Sequence, residues 1–306
     1  MPSFMSRVVV PAYLRVTRAN QPFLTADGAR KHIRERTIRP QPFAPPRVLR
    51  SDIEISMRRE GGWPIYTLTP RSGRTRGNVI YCHGGGWVNE VARQHWELAA
   101  DIAADAGTTV TLPIYPLIPF GTADQVIPAF AELVRANRER YGEVCLAGDS
   151  AGGQIALSTA VVLRDDEQPS VPRTVLISPA LDLSMSNPEI LAVLPEDPWL
   201  GREGGLVLGE SWRGPLDIHD PRVSPLFADF TGLGPLAVFC GSRDILVPDT
   251  RLMVEKARAA GVDVDYVEEP GLVHVYPLTP TPEGRAARKV IIDALSRALT
   301  PAQSPR

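Results

Sequence analysis

From about residue 53 onward, short β-branched runs alternate with longer stretches of helical period. Few architectures accept that rhythm, because parallel strands need a long crossover between them and the crossover helices bury both faces of the sheet. IEISM and WPIYTLT read as a hairpin around Gly61-Gly62, and NVIYC, TTVTLP, EVCLA, VLIS, LAVFC and DVDYVE read as further strands. Helices are predicted over residues 90–106, 123–139, 150–164, 251–260 and 283–298. The expected fold is α/β, a mostly parallel sheet flanked by helices, with antiparallel pairing only at the N-terminal edge. The core is expected to span residues 51–183 and 223–306. Two segments break the rhythm: residues 1–50, rich in Arg and Pro, and residues 184–222, which carry helical fragments with Trp199 and Trp212. An insertion of that length is seldom a structureless loop, so residues 184–222 are expected to form a helical cap; a surface helix pair with no other role is the alternative.

At 306 residues the chain suits one α/β domain with accessory segments. The 33 Lys+Arg nearly balance 35 Asp+Glu, which gives no overall reason to expect nucleic acid or an acidic membrane as partner and fits a small neutral substrate. No run approaches the roughly 18 apolar residues needed to cross a bilayer, and arginines interrupt the first apolar stretch too early for a signal sequence. The expectation is a cytoplasmic protein without stable membrane insertion. Cys82, Cys145 and Cys240 each sit in a strand-like apolar run without metal-ligand spacing, so they read as buried thiols. A homodimer is compatible with the sequence but not specified by it.

The chemistry is carried by AGDSAGG at residues 147–153. Gly-x-Ser-x-Gly alone also fits a plain turn between strand and helix. Here Ser150 stands between EVCLA and a helical run, the context that lifts a serine hydroxyl above a sheet at the positive end of a helix dipole. HGGGW at residues 83–87 follows NVIYC directly, and its three glycines leave the backbone free to aim consecutive N–H groups at one point. Such donors stabilise the oxyanion of acyl transfer by roughly 3–4 kcal/mol. A serine needs a histidine to take its proton and a carboxylate to orient that histidine. Of five histidines, only His274 lies in the loop between the last strand and the last helix, at the carboxyl edge of a parallel sheet. Asp244 and Asp249 both follow LAVFC. Asp244 is nearer the strand end and is preferred; Asp249 then serves as a solvated N-cap of a helix beginning near Thr250. Asp149 is expected to be a structural acceptor, because neighbours on a tight turn point apart.

With HGGGW, GDSAGG, DPRVSPLFAD from residue 220, GSRDIL from residue 241 and the histidine loop at residue 271 in view, the chain resembles the hormone-sensitive lipase family of α/β-hydrolases over about residues 77–295. The resemblance implies an eight-stranded sheet, a helical cap built from the N-terminal arm and the insertion after the sixth strand, and carboxylester hydrolysis with no cofactor and no metal. Carried over by position, it makes Ser150 the nucleophile, Asp244 the acid and His274 the base. It makes Gly85, Gly86 and Ala151 oxyanion donors, with Gly84 as a further candidate, and gives His83 a bracing role. Trp87 falls beside the acyl group or in the core. Two stretches depart from the family's usual pattern: His274-Val275-Tyr276 stands where His-Gly-Phe is common, and Tyr115-Pro116-Leu117-Ile118-Pro119-Phe120 where Tyr-Arg-Leu-Ala-Pro-Glu is common. The expected substrate is a hydrophobic short- to medium-chain ester. A deacetylase of a bulky alcohol, a lactonase or an amidase would use the same residues, and a non-catalytic receptor on the same scaffold is the reading from another class.

Overall fold

The computed structural model describes residues 2–73 and 75–300. A helical arm comes first: a single turn, Met5–Val9, leads into α1 (Val10–Thr17), followed by α2 (Gln21–Leu24) and α3 (Ala26–Ile38). Proline near the start of α1 and α2 and the Thr25 side chain capping Gly28 N–H explain why a Pro-rich stretch is helical here. Then come β1 (Ile53–Glu60), β2 (Trp63–Pro70), β3 (Asn78–Cys82), α4 (Arg93–Ala106), β4 (Thr109–Pro113), α5 (Ala123–Tyr141), β5 (Val144–Asp149) and α6 (Ala151–Asp165). The second half contains β6 (Thr174–Ile177), α7 (Ile190–Val193), α8 (Arg202–Arg213), β7 (Leu236–Gly241), α9 (Val247–Ala259), β8 (Val264–Glu269) and α10 (Pro282–Ala298).

The eight strands form one sheet in the order β1-β2-β4-β3-β5-β6-β7-β8. β1 and β2 join antiparallel and every pair from β4 to β8 is parallel, as the strand–helix rhythm requires. Every residue of β3 to β7 is buried, which explains why β3, β5, β6 and β7 are near-continuous apolar runs; β4 alternates Thr with Val and Leu, and its buried Thr109 and Thr111 hydroxyls accept from the Asn78 amide. Side-chain alternation builds two cores: Ile80, Leu146 and Val238 face α5, α6 and α9, whereas Val79, Cys145 and Phe239 face α4 and α10. No described helix is long and apolar enough to cross a membrane.

One boundary matters for the site. The helix expected from residue 251 begins at Val247, so Asp249 lies inside its first turn and is only 1 % exposed. It is therefore not a solvated cap. Pro248 in the first helical turn starts the helix early.

Candidate active site

β5 delivers the backbone to Ser150, and α6 starts immediately after it. Ser150 holds φ 53° and ψ −119°, a strained conformation for a residue with a Cβ, worth about 1–3 kcal/mol. Its N–H donates to Ile177 O at 2.8 Å and its own carbonyl accepts from Ala180 and Gln154, so both neighbouring chains hold the turn. Gly152 is required by close approach: a Cβ there would lie 1.9 Å from the Cys82 carbonyl oxygen. The serine is thereby raised at the carboxyl edge of the central strands.

The loops after β7 and β8 converge on the same edge. His274 Nε2 lies 2.9 Å from Ser150 Oγ, and His274 Nδ1 lies 2.8 Å from Asp244 Oδ2. Asp244 is fully buried, and its other oxygen accepts the Leu246 N–H at 2.9 Å. Burial alone pushes the His274 pKa down. The charge and hydrogen bond of Asp244, with the charges of Asp197 and Asp149, more than offset it and hold the ring above the ordinary histidine value. Asp249 is not brought to His274. Its Oδ1 accepts from Asn187 at 2.9 Å, its Oδ2 is buried without a partner among the described residues, and burial raises its pKa to about 6.

Asp149, next to the serine, faces the glycine loop. Its Oδ1 accepts from Tyr81 Oη at 2.7 Å and from Gly84 N–H at 3.0 Å, and its Oδ2 lies 3.3 Å from His95 Nε2. Burial opposes its charge, but His95, Tyr81 and the Gly84 N–H outweigh that and hold the carboxyl below its usual range. One reading of the sequence is corrected here. The Gly84 N–H is committed to Asp149, so Gly84 leaves the set of oxyanion donors. The N–H groups of Gly85, Gly86 and Ala151 carry no hydrogen bond to the described residues, and Gly85 and Gly86 hold φ 126° and 63°, which a side chain would resist.

His83 braces this loop from inside. Its Nδ1 lies 2.8 Å from Gly84 O, its carbonyl accepts from Tyr115 Oη at 2.8 Å, and its ring stacks on Tyr115 with centroids 4.5 Å apart. Burial drives its pKa down to about 4, so the ring is neutral. His274 is thus the histidine beside the serine; His32, on α3, bonds Asn89, and His219 lies near Phe227.

Trp87 takes the core alternative. It is 5 % exposed, its ring stacks on Trp212, and both indole N–H groups donate to Gln154 Oε1, at 3.1 and 2.9 Å. The Gln154 amide in turn donates to Ser158 Oγ and to Arg222 O. Gln154 thus ties together the glycine loop, the helix that follows the serine, α8 and the DPRVSP stretch. Nothing in the sequence distinguished it from an ordinary helical glutamine except its place four residues after Ser150. Asp197 was missed as well: its carboxylate accepts the Trp199, Leu200 and Ile245 N–H groups, joining the insertion to the loop of Asp244, while Trp199 meets His274 edge-on at 5.6 Å. α8 packs against α2 and α3, and Phe23 and Leu208 meet at Gly86, 3.0 and 3.2 Å from where its Cβ would stand.

This serine, histidine and carboxylate arrangement on a doubly covered sheet has known counterparts. A family model described as alpha/beta hydrolase fold matches residues 79–278. The chain belongs to that family. An acetyl-hydrolase of Streptomyces hygroscopicus is 31% identical over 227 residues, covering 72% of this chain and 74% of the relative. A triacylglycerol lipase of Mycobacterium tuberculosis is 32% identical over 216 residues, which are 70% of this chain but only 45% of that protein's length. Among solved structures, an esterase of the bacterial hormone-sensitive lipase family superposes with a TM-score of 0.81 at 28% identity, over 98% of this chain and 100% of the other. The chain is an α/β-hydrolase of the hormone-sensitive lipase type.

Proposed function

We propose that this α/β-hydrolase is a serine carboxylesterase in which Ser150, His274 and Asp244 form the reacting relay. The observation that carries the reading is the pair of contacts, 2.9 Å from Ser150 to His274 and 2.8 Å from His274 to Asp244, on the carboxyl edge of the sheet. The relatives' names support ester hydrolysis independently. Ser150 Oγ attacks the ester carbonyl while its proton passes to His274 Nε2, and the C–O π electrons move onto the oxygen. That oxyanion is received by the free N–H groups of Gly85, Gly86 and Ala151. Collapse of the tetrahedral species expels the alkoxide with the His274 proton as alcohol, leaving an acyl-serine. Water, deprotonated by His274, repeats the sequence and returns the acid and free Ser150. Asp244 keeps the ring proton on Nδ1 in the resting state and stabilises the imidazolium when it forms.

The N-terminal arm, residues 1–50, contributes to the cover of the site through α2 and α3, and residues 184–222 supply the rest, a role supported by the packing of α2 and α3 on α8 and by Phe23 and Leu208 at Gly86. A covered, largely apolar site favours hydrophobic esters with short to medium acyl groups, and the Streptomyces relative's name points to the short end. Three buried free thiols fit a reducing, cytoplasmic setting. A fluorophosphonate probe tests the reaction class: labelling of the wild type that disappears in Ser150→Ala is expected, and folded wild type that resists the probe refutes it. A p-nitrophenyl ester series tests the substrate class, which is wrong if the longest chains turn over best.

A further inference from the structure

The near-balance of charge over the whole chain conceals a split. Residues 1–50 carry ten Lys+Arg against two Asp+Glu, and no acid precedes Asp27. The turn Met5–Val9 and α1 attach to the body by one face only: Ser6, Pro11 and Leu14 are buried, and Ser3 and Ser6 donate to Glu283 in the first turn of α10. The opposite face holds Phe4, Val8, Tyr13 and Val16, exposed to 71%, 46%, 65% and 83%, with Met5 and Val9 between them. At helical spacing these side chains fall on one side. Arg7 and Arg15 belong to the same helical segment and Arg18 caps its C-terminus, whereas the ion pairs of the arm are made further along, by Arg30, Lys31 and Arg50.

Single exposed apolar side chains are ordinary on a protein surface, but six on the outward half of one short arm of two successive helical turns and their caps, with three arginines and no acid, are not. We infer that this face is a docking surface for an anionic phospholipid bilayer. Lying in the interfacial plane, the helix places Phe4, Val8, Tyr13 and Val16 at the acyl boundary, while the arginine stems reach past them to lipid phosphates. A second copy of the chain is the competing occupant. Isologous pairing would bring the arginines of both copies to one interface with no acid on either stripe to answer them, so the charge favours lipid. Asn20, just beyond α1, bonds Pro198 O next to Trp199, and Phe23 covers Gly86. A docked α1 therefore holds the rim of the site against the surface in which hydrophobic esters dissolve.

The test is co-sedimentation of the full chain with vesicles of phosphatidylcholine alone or with added phosphatidylglycerol, a readout that does not require the enzyme to turn over. Binding is expected to the anionic vesicles and to weaken strongly at about 1 M salt. Val8→Asp/Val16→Asp should abolish it, and Arg7→Gln/Arg15→Gln should weaken it roughly thirtyfold, both with unchanged thermal midpoint and unchanged turnover of a soluble p-nitrophenyl ester. Equal binding to neutral and anionic vesicles, or wild-type binding by the double Asp variant, overturns the inference. So does a wild-type dimer that ignores vesicles and becomes a monomer in the double Asp variant, since the stripe is then covered by a second copy.

Discussion

Asp244→Asn preserves the size of a fully buried side chain and removes its charge. The consequence follows from the two groups it serves. One carboxylate oxygen accepts the Leu246 N–H at 2.9 Å and the other faces His274 Nδ1 at 2.8 Å. An amide has one oxygen for these two donors. If the oxygen stays on Leu246, the NH2 points at His274 Nδ1, which must then be unprotonated. The ring proton moves to Nε2, where it faces Ser150 Oγ, and the ring can no longer accept the serine proton. If the amide turns over, its NH2 opposes the Leu246 N–H and leaves a buried donor unpaired, at a cost of about 1–3 kcal/mol. The productive orientation is thereby held to a minority, and it still lacks the charge that stabilises the imidazolium. The corresponding change in a serine protease lowers kcat by about 10⁴. We expect a loss of roughly 10³- to 10⁴-fold in kcat/KM here, equivalent to about 4–5.5 kcal/mol of transition-state stabilisation. Initial rates on p-nitrophenyl butyrate at about pH 8 measure it, with thermal unfolding as the check on fold. The matched control is Asp249→Asn, which should be nearly normal because Asp249 contacts Asn187 and not the histidine. A folded Asp244→Asn enzyme within tenfold of wild type refutes the reasoning, and an inactive Asp249→Asn moves the acid to Asp249.

The pH–rate profile of kcat/KM should rise with an apparent pKa above 6.5, because Asp244, Asp197 and Asp149 favour the protonated ring. Stability should run the other way: the contribution of charged His274 is complete below the unfolded value and fades as pH rises through the folded one, which melting curves across pH 6–9 would show as a falling midpoint. Gln154→Leu removes the acceptor of two buried indole N–H groups and the donor to Arg222 O, so a destabilisation of about 3–6 kcal/mol is expected in urea unfolding; a change under about 1 kcal/mol would mean the network contributes little. Val275 occupies the left-handed region at φ 46° and ψ 38° and is 6 % exposed. Val275→Gly and Val275→Ala both lose most of the side chain's burial, but only glycine relieves the backbone, so Gly should be the more stable variant by about 1 kcal/mol; equal or reversed stabilities would sink that account.

Much of this was legible because it is local. Period and length distinguished strands from helices, and the topology of a parallel sheet sent the ends of EVCLA, LAVFC and DVDYVE to one edge, which is why Ser150, Asp244 and His274 could be picked from many serines, acids and histidines. The reading of Asp249 failed although a signal was present: proline in Leu-Val-Pro-Asp marks a helix start earlier than Thr250, and the carboxylate is carried into the core. The departure at Val275 was visible as a missing glycine, yet its meaning needed the positive φ. Gly84 and Gln154 were beyond a linear reading. Their partners lie 58 residues or more away in Asp149, Trp87, Trp212 and Arg222, and one free N–H looks like another until the acceptor is placed.

The two adjacent residues of the elbow show how the fold divides the work. Asp149 and Ser150 are neighbours, but the positive φ of the serine turns their side chains apart, one toward the glycine loop and one toward the histidine. Asp149 spends its charge fixing Gly84, and with it the register of Gly85 and Gly86 relative to Ala151. Asp244 spends its charge fixing His274. Each carboxylate is anchored by a backbone N–H of the loop it serves or occupies, Gly84 and Leu246, so neither can drift toward the other's partner. The strain at Ser150 is what permits this division. A relaxed turn would project Asp149 and Ser150 differently, and the acceptor of the serine proton and the donors for the oxyanion could not both be held around one hydroxyl. That is why the serine tolerates a conformation costing about 1–3 kcal/mol, and why Gly152, pressed against the Cys82 carbonyl, admits no side chain.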